Sequence, residues 1–226
     1  MVSFKTARNN KGYTLEELAL KTNNGTGTII NYERDLSFIE NAQLINIYNI
    51  CEELEIDIED LFDMDAINKD IGAQIDKYYA DNSVKVNLKA AYKRNYLCLK
   101  KWEERNMISS EENTVLLSKL SDIKNRYLSF KEMDESTMRD YLMESKKCMA
   151  PFYMKKYTKG ARKLRYYKYI TDISAEQLAS VLDVKSNMLY NYINGTRDIN
   201  TISVGYAIKL AACFLSLIHI SEPTRL

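Results

Sequence analysis

Along most of the chain the apolar residues recur at spacings of three and four. Leu44, Ile47, Ile50, Cys51 and Leu54 form one such stripe, and Leu88, Tyr92, Leu99 and Trp102 form another with gaps. Alternation with a period of two, the mark of a half-buried strand, is hard to find. The pattern predicts an all-α protein. Only 7 glycines and 2 prolines interrupt it, and none falls between Gly72 and Pro151. Three or four helices are expected in 66–150, broken near 80–83, 106–110 and 132–136. Ser109 followed by Glu112 has the form of a capping box that opens one of them.

The two ends of the chain repeat one another. A shift of 160 residues aligns them without gaps and pairs Glu16, Leu18 and Ala19 with Glu176, Leu178 and Ala179. Asn31 and Tyr32 meet Asn191 and Tyr192, and Ile39 meets Ile199. The stripe Leu44, Ile47, Ile50 meets Val204, Ala207, Leu210. Thr14-x-x-Glu17 and Ser174-x-x-Gln177 both have capping-box form in the same relative place. Shared caps, register and core pattern predict one fold used twice. The second copy runs to Phe214, opposite Leu54, without a counterpart of the "EIDIEDLF" at 55–62.

In "TLEELALKTNNGTGTIINYERD" (14–35) a capped helix of about eight residues precedes a short turn and a second helix. Leu18 and Ala19 face inward, and the small Ala19 lets the following helix pack close. Ile29 and Tyr32 share one face of that second helix. This pattern resembles the Cro/C1-type (XRE) helix-turn-helix family over about 4–62, and its copy does so over about 162–214. The copy, "SAEQLASVLDVKSNMLYNYINGTRDI" (174–199), is closer to the family, with Val184 as the apolar turn residue and Asn194-Gly195-Thr196-Arg197 after the second helix.

The resemblance implies a five-helix domain at 1–63, a helical linker or dimerisation segment at 64–158, and a second, truncated domain at 159–214. It also implies that residues near the start of each second helix face DNA. In the rear copy these are Lys185, Ser186, Asn187, Tyr190 and Asn191, with Arg197 nearby. Asparagine suits a bidentate contact with adenine, whereas Lys185 and Arg197 suit phosphates. In the front copy they are Thr26, Thr28, Asn31 and Arg34. Both copies depart from the family where it often has a phosphate-holding Gln: Leu15 and Ala175 stand there. The front copy also has Asn24 in the turn, Gly27 within the second helix and Ile30 on an outward position.

Charge changes the picture. The whole chain has a net charge of +1, but residues 1–63 hold 5 Lys/Arg against 12 Asp/Glu. Residues 64–159 hold 19 against 14, and 160–226 hold 8 against 5. Between Glu144 and Asp172 there is no acidic residue and there are nine Lys/Arg. Contact with a polyanion is therefore expected at the rear rather than the front. Tyr153, Tyr157, Tyr166 and Tyr167 in that basic stretch either add contacts to a DNA backbone or pack on their own domain. Trp102, with Leu99 and Tyr92, is expected in a core or a dimer interface. The acidic run at Asp57, Glu59, Asp60, Asp63 and Asp65 lacks the glycine and terminal glutamate of a calcium loop and is expected to be a solvated turn.

Catalytic chemistry finds no foothold. No glycine-rich phosphate loop, G-x-S-x-G or metal-ligand spacing is present, and the sole histidine is His219. No enzyme activity, cofactor or metal is expected. The four cysteines Cys51, Cys98, Cys148 and Cys213 lack short-range pairing and are expected to be reduced thiols of a cytoplasmic protein. No signal-like segment or apolar run of about 18 residues is present, so no membrane partner is expected.

The last stretch, "LSLIHISEPTRL" (215–226), resembles the translation of a transposon mosaic-end sequencing adapter and is expected to be foreign to the protein. The functional expectation is a sequence-specific, repressor-like regulator of bacterial or phage origin that binds double-stranded DNA. The alternative is an interaction adaptor whose acidic front domain docks a protein. A homodimer is expected from the habit of the family; two units in one chain offer a pseudo-dimer instead.

Overall fold

The structure is a computed structural model and describes residues 2–81, 88–128, 134–155 and 162–221. It is all-α: among the described residues there are thirteen α-helices, two short 3₁₀ turns and no strand. The chain divides into two compact units. The first comprises Met1–Gln74 with Arg197–Cys213, and the second comprises Ile75–Thr196 with Phe214–Leu226. The repeat and the compact units thus partition the chain differently, because the end of the second copy belongs to the first unit.

The first unit begins with α1 (Phe4–Asn10), α2 (Leu15–Lys21), α3 (Thr26–Arg34), α4 (Leu36–Asn41) and α5 (Leu44–Leu54). Thr14 and Glu17 close the expected capping box: the Glu17 backbone N–H donates to Thr14 Oγ1 at 3.1 Å, and the Thr14 N–H to Glu17 Oε2 at 2.8 Å. That satisfies two of the orphan donors at the helix start. Leu18, Ile29, Ile47 and Ile50 are almost fully buried in one core with Phe4, Leu54, Leu61 and Phe62. Each large apolar side chain buried this way contributes about 1.5–3 kcal/mol. Glu55 ends α5 in the left-handed region (φ 53°), and a 3₁₀ turn at Ile58–Leu61 returns Leu61 and Phe62 to the core. Asp57, Glu59, Asp60 and Asp63 are exposed around it.

One tie in this unit joins residues 25 apart in sequence. Arg8 on α1 reaches Glu33 on α3 with Nε–Oε1 at 2.6 Å and Nη2–Oε2 at 3.1 Å, while Nη1 donates to the Tyr13 carbonyl at 2.7 Å. The pair is close to fully buried, with side-chain exposures of 11% and 9%. The planar fork of arginine matches the carboxylate bidentately. The bond to Glu33 outweighs desolvation and raises the Arg8 pKa above its ordinary value.

The second unit holds α6 (Met64–Asp81) from Ile75 onward, α7 (Leu88–Glu104), α8 (Ser110–Leu128), α9 (Glu135–Lys155), α10 (Arg162–Ile170), α11 (Ala175–Val181) and α12 (Ser186–Asn194). The break between α7 and α8 falls where expected, and Ser109 and Glu112 form their capping box. Much of the other two expected breaks, at 80–83 and 132–136, lies outside the described residues. Leu99, Leu116, Leu120 and Tyr141 are fully buried in the core shared by α7, α8 and α9, and Trp102 joins them at 8% exposure, an anchor of this core. The helix expected to stop at 150 runs through Pro151 to Lys155. Met154 is buried beyond the proline and the Tyr153 ring stacks on Tyr169 at 3.9 Å, so tertiary contacts hold a turn that propensity disfavours.

α13 (Val204–Ser221) follows a 3₁₀ turn at Ile199–Thr201. Its backbone continues across Leu215, so the adapter-like stretch carries on the helix through Ser221; 222–226 lie outside the described residues. No described helix is long and apolar enough to cross a membrane. All four cysteines are free; Cys51 and Cys213 are buried and Cys98 and Cys148 half-buried.

Candidate nucleic-acid interface

The sequence repeat is also a repeat of backbone geometry. α2 and α3 span the same positions as α11 and α12 after the shift of 160 residues. The turn between them is bonded alike in both copies. The N–H of Asn24 donates to the Ala19 carbonyl at 2.8 Å, and that of Val184 to the Ala179 carbonyl at 2.9 Å. Asn23 (φ 52°) and Asp183 (φ 51°) are left-handed at corresponding positions, as are Gly12 (φ 72°) and Asp172 (φ 55°). Asparagine and aspartate tolerate that region better than other residues with a side chain. The positive φ could have been expected from their matched places in the two turns.

The starts of the paired helices differ in one respect that bears on function. α2 and α11 are capped by side chains, through Thr14 with Glu17 and Ser174 with Gln177, and carry acidic residues in the first turn. α3 and α12 have no side-chain cap on Gly25 or Lys185 and no acid in the first turn. Uncapped N–H groups at a helix start, with the positive end of its dipole, suit a phosphate.

On α12 the side chains sort by face. Leu189, Tyr192 and Ile193 are buried, while Asn187, Tyr190 and Asn191 are exposed with Lys185 just before them and Arg197 just after; Ser186 is half-buried. Gly195 ends the helix at φ 74°, a left-handed cap that favours glycine, and turns the chain toward Arg197. The Tyr190 hydroxyl is already engaged: it donates to Glu176 Oε1 at 2.5 Å. That bond holds the Glu176 carboxyl below the usual carboxylate range and raises the Tyr190 phenol. It places a negative charge of α11 beside α12. Ala175, at the start of α11, is 1% exposed.

On α3 the equivalent surface is poorer in donors. Thr26, Thr28 and Asn31 are half-buried, Gly27 is exposed, and Ile30 is 45% exposed. Arg34 lies over the Phe38 ring at 5.2 Å from its centroid. Asn24 is half-buried and donates from Nδ2 to the Thr22 carbonyl at 2.9 Å and to Thr22 Oγ1 at 3.1 Å, bonds that let a polar residue replace an apolar one in the turn. Leu15 packs against the core from the edge.

Part of the basic stretch is spent inside the second unit. Lys146 pairs with Asp172 at 3.1 Å and lies over the Tyr169 ring at 4.5 Å; Arg94 reaches the same Asp172 at 2.7 Å. Arg165 is buried and donates to the Ile193 carbonyl, which ties α10 to α12. Lys146, Arg165 and Lys168 line a pocket of about 340 Å³ with Tyr153, Tyr169 and Tyr190. Tyr153 is half-buried against the core, Tyr166 is half-buried, and Tyr167 stacks on Phe214 at 5.7 Å. Tyr157 lies outside the described residues. Burial raises the Tyr169 phenol far above its ordinary range.

Compared with protein-family models, with curated proteins and with solved structures, the chain matches none.

Proposed function

We propose that the protein is a sequence-specific binder of double-stranded DNA, a transcriptional regulator that blocks or redirects transcription in the cytoplasm of a bacterium or an infected bacterial cell. The observation that carries this reading is α12. Its start is uncapped and free of acids, it exposes Asn187 and Asn191, and Lys185 and Arg197 flank it. Asparagine amides on such a helix supply both donor and acceptor to a base edge, and the flanking cations hold phosphates without reading sequence. No step of this function is catalytic.

A second reading applies to the front copy. The surface of α2 and α3 exposes Leu20 at 84% and Ile30 at 45%, in a segment that is strongly acidic. That surface suits a protein partner better than a polyanion, and in this reading the front domain is an adaptor.

The test is selection of duplexes from a random pool with the full chain, followed by titration of the selected site at several salt concentrations. Binding is expected to weaken with a log–log slope of about −0.9 per neutralised phosphate. Asn187→Ala is expected to cost about 1–3 kcal/mol on the selected site and to relax preference at one base pair. Arg197→Ala is expected to weaken all duplexes alike and flatten the slope by about one unit. A pool from which no sequence is enriched, or an enriched site indifferent to Asn187, overturns the proposal.

A further inference from the structure

Residues 42–44 and 202–204, which correspond under the shift of 160, meet each other in the first unit. The Leu44 N–H donates to the Ile202 carbonyl at 2.8 Å, and the Val204 N–H donates to the Ala42 carbonyl at 3.0 Å. Exchanging the two copies turns each of these bonds into the other. Gln43 and Ser203, also equivalents, face each other across an isolated antiparallel bridge. Reciprocity of this kind, where i meets j and j meets i, is the signature of an isologous two-fold contact. Here it joins two parts of one chain.

The side chains agree. Val204, 0% exposed, and Ile208 enter the core cluster built by α1–α5, and Leu44 packs on the same cluster. Gly205 sits where a Cβ would lie 3.3 Å from the Glu40 carbonyl oxygen and 3.4 Å from the Glu40 Cβ. Glycine is disfavoured in a helix, and here it permits the close approach of the start of α13 to the end of α4.

We propose that this ladder is a dimer interface internalised in one chain: residues 202–208 of the second copy, which belong to the first unit, cover the face of the first copy that would otherwise pair two chains, so the protein is a monomer.

The experiment that decides the interface is a cysteine pair, Gln43→Cys with Ser203→Cys, in the full chain. The two positions form a non-hydrogen-bonded antiparallel pair, whose Cα atoms lie about 4.5 Å apart, within disulfide reach. Mild oxidation is expected to give a cross-linked monomer on a non-reducing gel, and sedimentation of the unmodified protein a mass near 26.3 kDa at all concentrations. A cross-linked dimer would show that the ladder joins two chains, and no cross-link that it does not form; either overturns the proposal.

Discussion

Replacing Leu44 by proline removes one donor of the ladder and little else from the backbone. Leu44 is the first residue of α5, where the N–H has no partner within the helix and proline is well tolerated. Gln43 before it has φ −66° and ψ 138°, the extended conformation that a following proline demands. The N–H that is lost bonds only outside the helix, to the Ile202 carbonyl. Ile202 is 1% exposed, so its carbonyl is left without that donor in a place water reaches poorly. The loss of the bond and the desolvated acceptor together cost about 2 kcal/mol. For a chain of this size that corresponds to about 4–8 °C in melting temperature.

Leu44→Ala is the control, because it removes the half-buried side chain and keeps the N–H. The quantity of interest is the difference between the two variants, read by thermal melting and by amide hydrogen exchange. The Val204 amide, donor of the reciprocal bond, is expected to exchange faster in Leu44→Pro than in Leu44→Ala. The Asn24 amide, bonded to Ala19 within the front copy, is expected to keep its protection in both. Equal melting and equal Val204 exchange in the two variants would refute the ladder as an energetic contact.

Glu33→Ala strands the buried Arg8 charge and is expected to destabilise the first unit by about 2–4 kcal/mol, near the lower end of the cost of breaking a buried pair because about a tenth of each side chain stays exposed; Glu33→Gln, which keeps an acceptor, is expected to lose less in denaturant titration. Gly27→Ala is expected to stabilise α3 by up to about 1 kcal/mol, because nothing lies within 4 Å of the added Cβ; a lower denaturation midpoint would refute it. Melting temperature is expected to fall with acid. Glu17 is held below the usual carboxylate range first by the bond from the Thr14 N–H, Glu112 by the bond from Lys155, and Glu53 by the bond from Lys21. Each contribution is present in full above the unfolded value of about 4.3 and is lost as pH falls through the lower folded value. Glu17→Gln, which keeps the cap without the charge, is expected to show a shallower acid limb of melting temperature against pH.

The helices and caps were legible because they are local. Thr14-x-x-Glu17, Ser109-x-x-Glu112 and Ser174-x-x-Gln177 each place a donor and an acceptor three residues apart, and each closes its capping box. The inward faces followed from spacing for the same reason: Leu18, Ile29, Leu189 and Tyr192 are buried or nearly so. The Arg8–Glu33 pair was not legible. Its partners are 25 residues apart, and the second copy has Lys168 and Ile193 at those places, so the repeat gave no hint of a pair. The ladder at 42–44 was hidden because a single bridge has no alternating pattern to announce it. Copy two also replaces the helix expected opposite α4 by a 3₁₀ turn at Ile199–Thr201, after the left-handed Gly195 ends α12.

The differences between the copies explain why the repeat speaks for fold more clearly than for function. Both bond the turn between their second and third helices alike, through left-handed Asn23 and Asp183 and the N–H groups of Asn24 and Val184. Both tie the first helix of the copy to the third with an arginine, but by different chemistry. Arg8 pairs with the Glu33 side chain, whereas Arg165 donates to the Ile193 carbonyl, and a backbone carbonyl accepts in the same way whatever side chain stands there. A frame held mostly by backbone bonds constrains the exposed positions weakly, so they diverge: Gly27 and Ile30 on one helix, Asn187 and Tyr190 on the other. The proposed function accordingly rests on those positions rather than on the frame. One chain therefore presents two helix pairs of the same backbone shape and unlike surface chemistry. The ladder between 42–44 and 202–204 shows the same economy: it is made of backbone bonds alone, so it joins equivalent positions of the two copies although Gln43 and Ser203 share no side-chain chemistry.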